Sequence, residues 1–153
     1  MALKNNADLT AAERVALARV SQRPGVEEYV DALFENVFEQ RGDRASSDDP
    51  AIMCAIATFH GRPVTVVGHR KGSTIEQRMA FNFGMPSPEG YRKAQRAMRA
   101  AEKFGRPIIT FVDTPGAYPG LEAEEHGQGE AIARSIELMS ALKVPVVCVI
   151  CGE

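Results

Sequence analysis

The stretch PIITFVDTPGAYPG, residues 107–120, runs an apolar segment into a turn holding two prolines and two glycines. Those residue types suit chemistry done by the backbone. Glycine lets a main chain approach a ligand closely or take positive φ. Proline stiffens the turn and removes competing donors. The remaining amides, placed near the positive start of a helix, can hold an anion or an oxyanion. In open parallel sheets ligands bind beyond the carboxyl ends of the strands, and residues 113–120 stand at such an end. Thr114, Pro115, Gly116, Ala117, Tyr118, Pro119 and Gly120 are therefore candidate binding residues. A rigid crossover loop without a ligand is the alternative.

Other residues offer less. Asp113-Thr114-Pro115-Gly116 matches the D-x-x-G turn of GTPases, but that class also needs G-x-x-x-x-G-K-[ST] upstream. In residues 68–74 Lys71 precedes Gly72 instead of following it, and no N-K-x-D motif comes later. Arg70 and Lys71 follow a strand, and Arg92 and Lys93 lie early in a helix. These cations could hold the phosphates of a nucleotide-like ligand or a partner's acidic face, or form a solvated basic patch. Glu124, Glu125, Gln128 and Glu130 crowd the start of the next helix, most of which its dipole explains without any function. Cys148 and Cys151 have C-x-x-C spacing inside an apolar strand, with no second pair to complete a zinc site. They read as buried core cysteines. His60, His69 and His126 have no metal spacing and read as surface or turn residues. No G-x-S-x-G elbow is present.

The elements that must position the turn follow from pattern. Thr10-Ala-Ala-Glu13 forms a capping box, so a helix starts at residue 11 and ends near Pro24-Gly25. Apolar residues at helical spacing predict a second helix over residues 26–40, stopped by Gly42. Residues 44–49 are a polar loop. Apolar runs at 51–59 and 64–68, separated by His60-Gly61-Arg62-Pro63, predict a hairpin. Residues 69–86 show no clear period. Ser87-Pro88-Glu89 opens a helix that carries Tyr91, Ala94, Met98, Ala101 and Phe104 inward and closes at Gly105. A strand over 108–112, a helix over 122–142 and an apolar strand over 144–150 make a βαβ unit on a parallel sheet. The fold class is α/β.

Composition narrows the function. A length of 153 residues suits one domain, and a net charge of −2 gives no electrostatic footprint for nucleic acid or an acidic membrane. No apolar run reaches the ~18 residues of a membrane span, and the first ten residues lack the apolar core of a signal peptide. Cytoplasmic residence is the default. The three cysteines are an odd number and set no disulfide framework. The sequence closes on Cys151-Gly152-Glu153 directly after a core strand, the expectation for a fragment of a longer protein.

NFGMPSPEGYRKA (residues 82–94), residues 108–120 and AEEHGQ (residues 123–128) resemble the carboxyltransferase alpha subunit of bacterial-type acetyl-CoA carboxylase. Shorter pieces at 42–44, 61–64 and 68–72 fit the same pattern in the same order. The resemblance covers residues 26–153. It implies a truncated crotonase-like fold of stacked ββα units over 26–153, with residues 1–25 as an N-terminal helical extension. It also implies a beta subunit that carries the zinc and most of the acetyl-CoA site, and therefore no metal in this chain. The implied reaction moves CO₂ from carboxybiotin, tethered to the biotin carboxyl carrier protein, onto acetyl-CoA to give malonyl-CoA for fatty acid synthesis. ATP is used by a separate biotin carboxylase component. The enolate of acetyl-CoA and the biotin ureido oxygen both develop negative charge that backbone N–H pairs can hold, each worth ~3 kcal/mol of barrier. The departing biotin can be the base, so no catalytic side chain is implied. Residues 114–120 would line the biotin pocket, Gly116 and Ala117 giving close approach and Tyr118 and Pro119 an apolar wall, with Gln128, Arg70, Lys71 and Arg92 as further substrate-binding residues. In the family the glycine-rich oxyanion segment for biotin follows Gly-Glu, where this sequence closes on Gly152-Glu153, so half of the implied site is expected beyond these residues. Two alternatives stand beside this reading: another crotonase-fold acyl-CoA carboxyltransferase half, such as one acting on propionyl-CoA, and a non-catalytic scaffold that docks the carrier.

Overall fold

His60 and Gly61 take φ of 46° and 76°, the two positive values of a tight hairpin turn whose twist matches its strands. The turn joins β2 (Ile52–Phe59) to β3 (Arg62–His69), which pair antiparallel from Ile52↔His69 to Phe59↔Arg62. This hairpin is the centre of the sheet. β1 (Glu35–Glu39) adds antiparallel to β2, β4 (Ile108–Val112) adds parallel to β3, and β5 (Val146–Ile150) adds parallel to β4. The order is β1-β2-β3-β4-β5. In this computed structural model the described residues are 9–20 and 22–153.

Parallel neighbours need long crossovers. The β3–β4 crossover holds α3 (Ile75–Ala80), a 3₁₀ turn at Asn82–Gly84, and α4 (Pro88–Lys103). The β4–β5 crossover holds α5 (Leu121–Glu125) and α6 (Gln128–Ala141). α1 (Ala11–Ala18) and α2 (Val26–Leu33) precede the sheet. Alternate strand residues serve opposite faces. On one face Ile52, Cys54, Val67 and Ile108 pack with Ala97, Met98 and Ala101 of α4, and Leu138 of α6 packs against them. On the other, Met53, Ala55, Val64, Val66 and Phe111 pack with Val26 and Val30 of α2 and with Phe34.

Several elements differ from the sequence-based expectation. The helix expected over 26–40 ends at Leu33, because Phe34 is extended (φ −123°, ψ 152°) and residues 35–39 pair with β2. Leu33, Phe34, Val37 and Phe38 have helical spacing, and pairing with the edge of β2 overrides it. Gly42 stops no helix. The helix expected over 122–142 is broken at Gly127, whose φ of 83° puts it in the left-handed region that glycine enters without strain. Residues 69–86 contain α3, opened by a second capping box of Thr74 and Gln77. α1 ends at Ala18, short of Pro24. Phe104, expected inward, lies past the end of α4 and is 65% exposed. β5, read as a core strand, is exposed along its length, and Cys148 with it; Cys151 is buried. The reading of the first ten residues as free of a signal core falls mostly on residues 1–8, outside the described residues.

Candidate functional site

β4 delivers the turn. Cys151 N donates to Val112 O at 2.8 Å, and just beyond it the Asp113 carboxylate accepts from Glu153 N at 3.2 Å and from Lys71 Nζ at 3.1 Å. Thr114 N donates to Glu153 O at 3.3 Å. The ends of β3, β4 and β5 are thus tied together at the base of the turn. Glu153 accepts from Lys71 Nζ and from Arg19 Nε of the segment after α1, and the Lys71 bond is the main cause of its lowered pKa.

Above that base the backbone is open. Gly116 is exposed, has φ of 149°, and would have no atom within 4 Å of a Cβ. Its amide is not free, because it donates to Thr114 Oγ1 at 3.0 Å, and that hydroxyl donates to Gly116 O at 2.8 Å. Tyr118 N donates to Pro86 O at 3.0 Å. Ala117 N is left without a partner among the described residues. It is half-buried, between two anchored neighbours. The Tyr118 ring lies over Gly120, where a Cβ would collide with its Cε1. The turn therefore offers an approachable main chain, the free Ala117 amide and an aromatic flank.

Two clefts flank the turn. One, of ≈ 150 Å³, takes in Asp113, Lys71, Arg19, Arg23, Glu27 and Gln77. The other, of ≈ 230 Å³, takes in Tyr118, Ser87, Asp49, Ala123 and His126.

The cations expected at the site are mostly engaged elsewhere. Arg70 is 13% exposed in its side chain and bonds Glu27 (2.7 Å) and Glu39 (2.8 Å), tying α2 and β1 to the end of β3. The Arg70 hydrogen bond is the main reason that the Glu39 pKa is lowered. Arg92 donates to Asp43 (2.8 Å), Glu89 (2.7 Å), Ser46 (3.3 Å) and His126 O (3.0 Å). Burial pushes the Asp43 carboxyl up, but the Ala45 and Ser46 amides and Arg92 outweigh it and hold the group well below its usual range. Lys93 is 1% exposed and buries its charge against Asp48 Oδ1 (2.5 Å) and Asp49 O (2.6 Å). Of the basic residues singled out, Lys71 alone reaches the turn.

Gln128 is buried behind the turn, with Nε2 donating at 3.0 Å to both Pro86 O and Tyr118 O. The segment before α4 is thus a second wall that sequence reasoning missed. Gly84 (φ 81°) brings it within 3.2 Å of Asp113 O, measured from a Cβ built there. A glycine and two prolines over residues 84–88 were the signal available. His126, read as a surface residue, is 44% exposed in its side chain and places Nδ1 2.9 Å from Glu89 Oε1.

The acetyl co-enzyme A carboxylase carboxyltransferase-like family matches residues 2–153. The chain belongs to that family. It is 58% identical over 146 residues to the acetyl-coenzyme A carboxylase carboxyl transferase subunit alpha of Heliobacterium modesticaldum, covering 95% of this chain and 44% of the relative. It is 55% identical over 141 residues to the subunit of that name from Bacillus subtilis, covering 92% and 43%. The chain spans less than half the length of these carboxyltransferase relatives. Among solved structures, a single-chain, multi-domain long-chain acyl-CoA carboxylase superposes with a TM-score of 0.68 at 24% identity, over 84% of this chain and 12% of that one. The beta subunit of Pseudomonas aeruginosa geranyl-CoA carboxylase gives 0.68 at 17%, over 92% and 24%. Identities that low carry the fold alone, which is crotonase-like.

No cluster of three or more metal-ligating side chains occurs among the described residues. No helix among them is long and apolar enough to cross a membrane.

Proposed function

We propose that this chain is the biotin-facing part of a carboxyltransferase alpha subunit, acting with a beta subunit to transfer CO₂ from carboxybiotin to acetyl-CoA and form malonyl-CoA. The observation that carries the reading is the open turn at the end of β4, in a chain of this family. Gly116 has nothing where a side chain would stand, and Ala117 N is unpartnered between bonded neighbours. A planar ureido ring fits such a cradle, because its approach requires bare backbone and its polar edge requires a donor.

Carboxybiotin, when bound, supplies an activated CO₂ and a ureido group able to accept a proton. The residues of this chain do the rest of their share by position. Gly116 admits close approach, Ala117 N is the donor offered to a developing negative oxygen, and Tyr118 with Pro119 excludes water from one side. Fixed dipoles aimed where charge develops stabilise it without reorganising. Arg70 and Arg92 support the walls, whereas Lys71 fixes Asp113 at the foot of the turn. The division at residue 26 rests on burial: α1 buries none of its residues, and the core begins at Val26. The beta subunit, the biotin carboxyl carrier protein and the biotin carboxylase component are the partners, in the cytoplasm.

The test is malonyl-CoA formation by the assembled alpha–beta carboxyltransferase supplied with carboxybiotin and acetyl-CoA, with propionyl-CoA as competitor. Turnover on acetyl-CoA is expected. Preferred turnover on propionyl-CoA would move the substrate, and carrier binding without turnover would leave a docking scaffold.

A further inference from the structure

Gln128 belongs to neither wall of the site and bonds both. It opens α6, is 4% exposed, and sends both N–H bonds of its amide to main-chain carbonyls of separate loops, Pro86 O and Tyr118 O, each at 3.0 Å. Tyr118 N closes the triangle by donating to Pro86 O at 3.0 Å. Two acceptors facing one nitrogen fix the orientation of the amide. Its Oε1 is buried with no partner among the described residues. Two neutral hydrogen bonds set against a buried unpaired acceptor nearly cancel as a source of stability. What the arrangement keeps is geometry, since it fixes the main chain one residue after Ala117.

We propose that Gln128 is a positioning residue, a latch that holds the Ala117 amide in place for the charge developing on the ureido oxygen, without itself touching the ring. The inference rests on the carboxyl-transfer reading for its catalytic consequence, and on the hydrogen-bond triangle alone for its structural one. Gln128 moves from the set of substrate-binding residues to the support behind them.

The test uses Gln128→Leu, which keeps the bulk, removes both donors and also removes the unpaired acceptor, and Gln128→Glu, which keeps the shape. Three readouts are taken: native-state hydrogen exchange at Tyr118 and Ala117, the melting temperature, and kcat with KM for acetyl-CoA in the assembled alpha–beta enzyme. For Gln128→Leu we expect exchange at Tyr118 to rise about tenfold with little change in melting temperature, and kcat to fall about tenfold at constant KM. For Gln128→Glu we expect Tyr118 protection to recover as pH falls and the carboxyl regains a proton to donate, a pH profile absent from the wild type. Unchanged Tyr118 protection in both variants overturns the latch. So does a rise in exchange spread evenly over the chain with a lowered melting temperature, which marks a merely structural residue. If Gln128→Leu does not fold, the pH profile of Gln128→Glu decides. If the wild-type assembly makes no malonyl-CoA, the carboxyl-transfer reading fails, and exchange at Tyr118 still decides the latch.

Discussion

Two loops leave the carboxyl ends of neighbouring parallel strands, and they are built in opposite ways. The loop after β3 carries Arg70 and Lys71, whose charges are absorbed by Glu27, Glu39, Asp113 and Glu153. The turn after β4 carries no charge beyond Asp113, and it keeps Gly116 bare and Ala117 N unpaired. The first loop holds the scaffold together, and the second leaves its main chain open. Charge in a glycine-rich loop is thus a poor guide to function when carboxylates lie within reach; the informative signal is backbone left open at a strand end.

The widest separation between the two loops should appear in catalysis. Gly116→Val adds a branched side chain where the backbone is open and φ is positive, so transfer by the assembled enzyme should fall by roughly a hundredfold, the scale of losing one oxyanion donor. Near-wild-type turnover in that variant would place the turn outside the site. Arg70→Met should do the reverse. It leaves Glu27 without its cation and Glu39 with only the exposed Arg41 at 3.3 Å, both carboxylates still reached by solvent, so a chemical denaturation midpoint should report a loss of about 2 kcal/mol. Its kcat should hold at temperatures where the protein is folded. A large fall in kcat without a stability change would make Arg70 a ligand residue after all.

The smallest effect is at His69, the last residue of β3. Burial pushes its pKa below the usual 6.5, against an opposing contact with Phe111 O at 3.4 Å. The folded state therefore binds fewer protons than the unfolded one, so the stability from this group is present above pH 6.5 and is lost as pH falls through the folded value. Unfolding free energy should decline between pH 7 and pH 5, and His69→Gln should flatten that slope. An equal slope in the variant would assign it to other groups.

The sequence shows the hairpin and the parallel βαβ unit clearly, because His60-Gly61 is flanked by β-branched runs and the apolar stretches over 108–112 and 144–150 bracket a helical one. Residues 34–39 were not legible as a strand. Their spacing is that of a helix, and pairing with the edge of β2 overrides it. The turn could be found from its prolines and glycines. The fate of its amides could not, since Thr114 Oγ1 and Pro86 O claim two of them through contacts no periodicity encodes. Arg92 was equally opaque: its partners Asp43 and Ser46 lie 49 and 46 residues away in sequence.

The exposure of β5 has a consequence for handling. Val146, Val147, Val149 and Ile150 stand 37%, 55%, 36% and 74% exposed along an outermost strand. Natural edges are blunted by charge, proline or a bulge, and residues 146–151 contain no proline and no charged side chain. A straight apolar rim of that kind is a template for edge-to-edge growth. A bare rim of that kind favours self-association, so an element laid over β5 would raise the solubility of these residues.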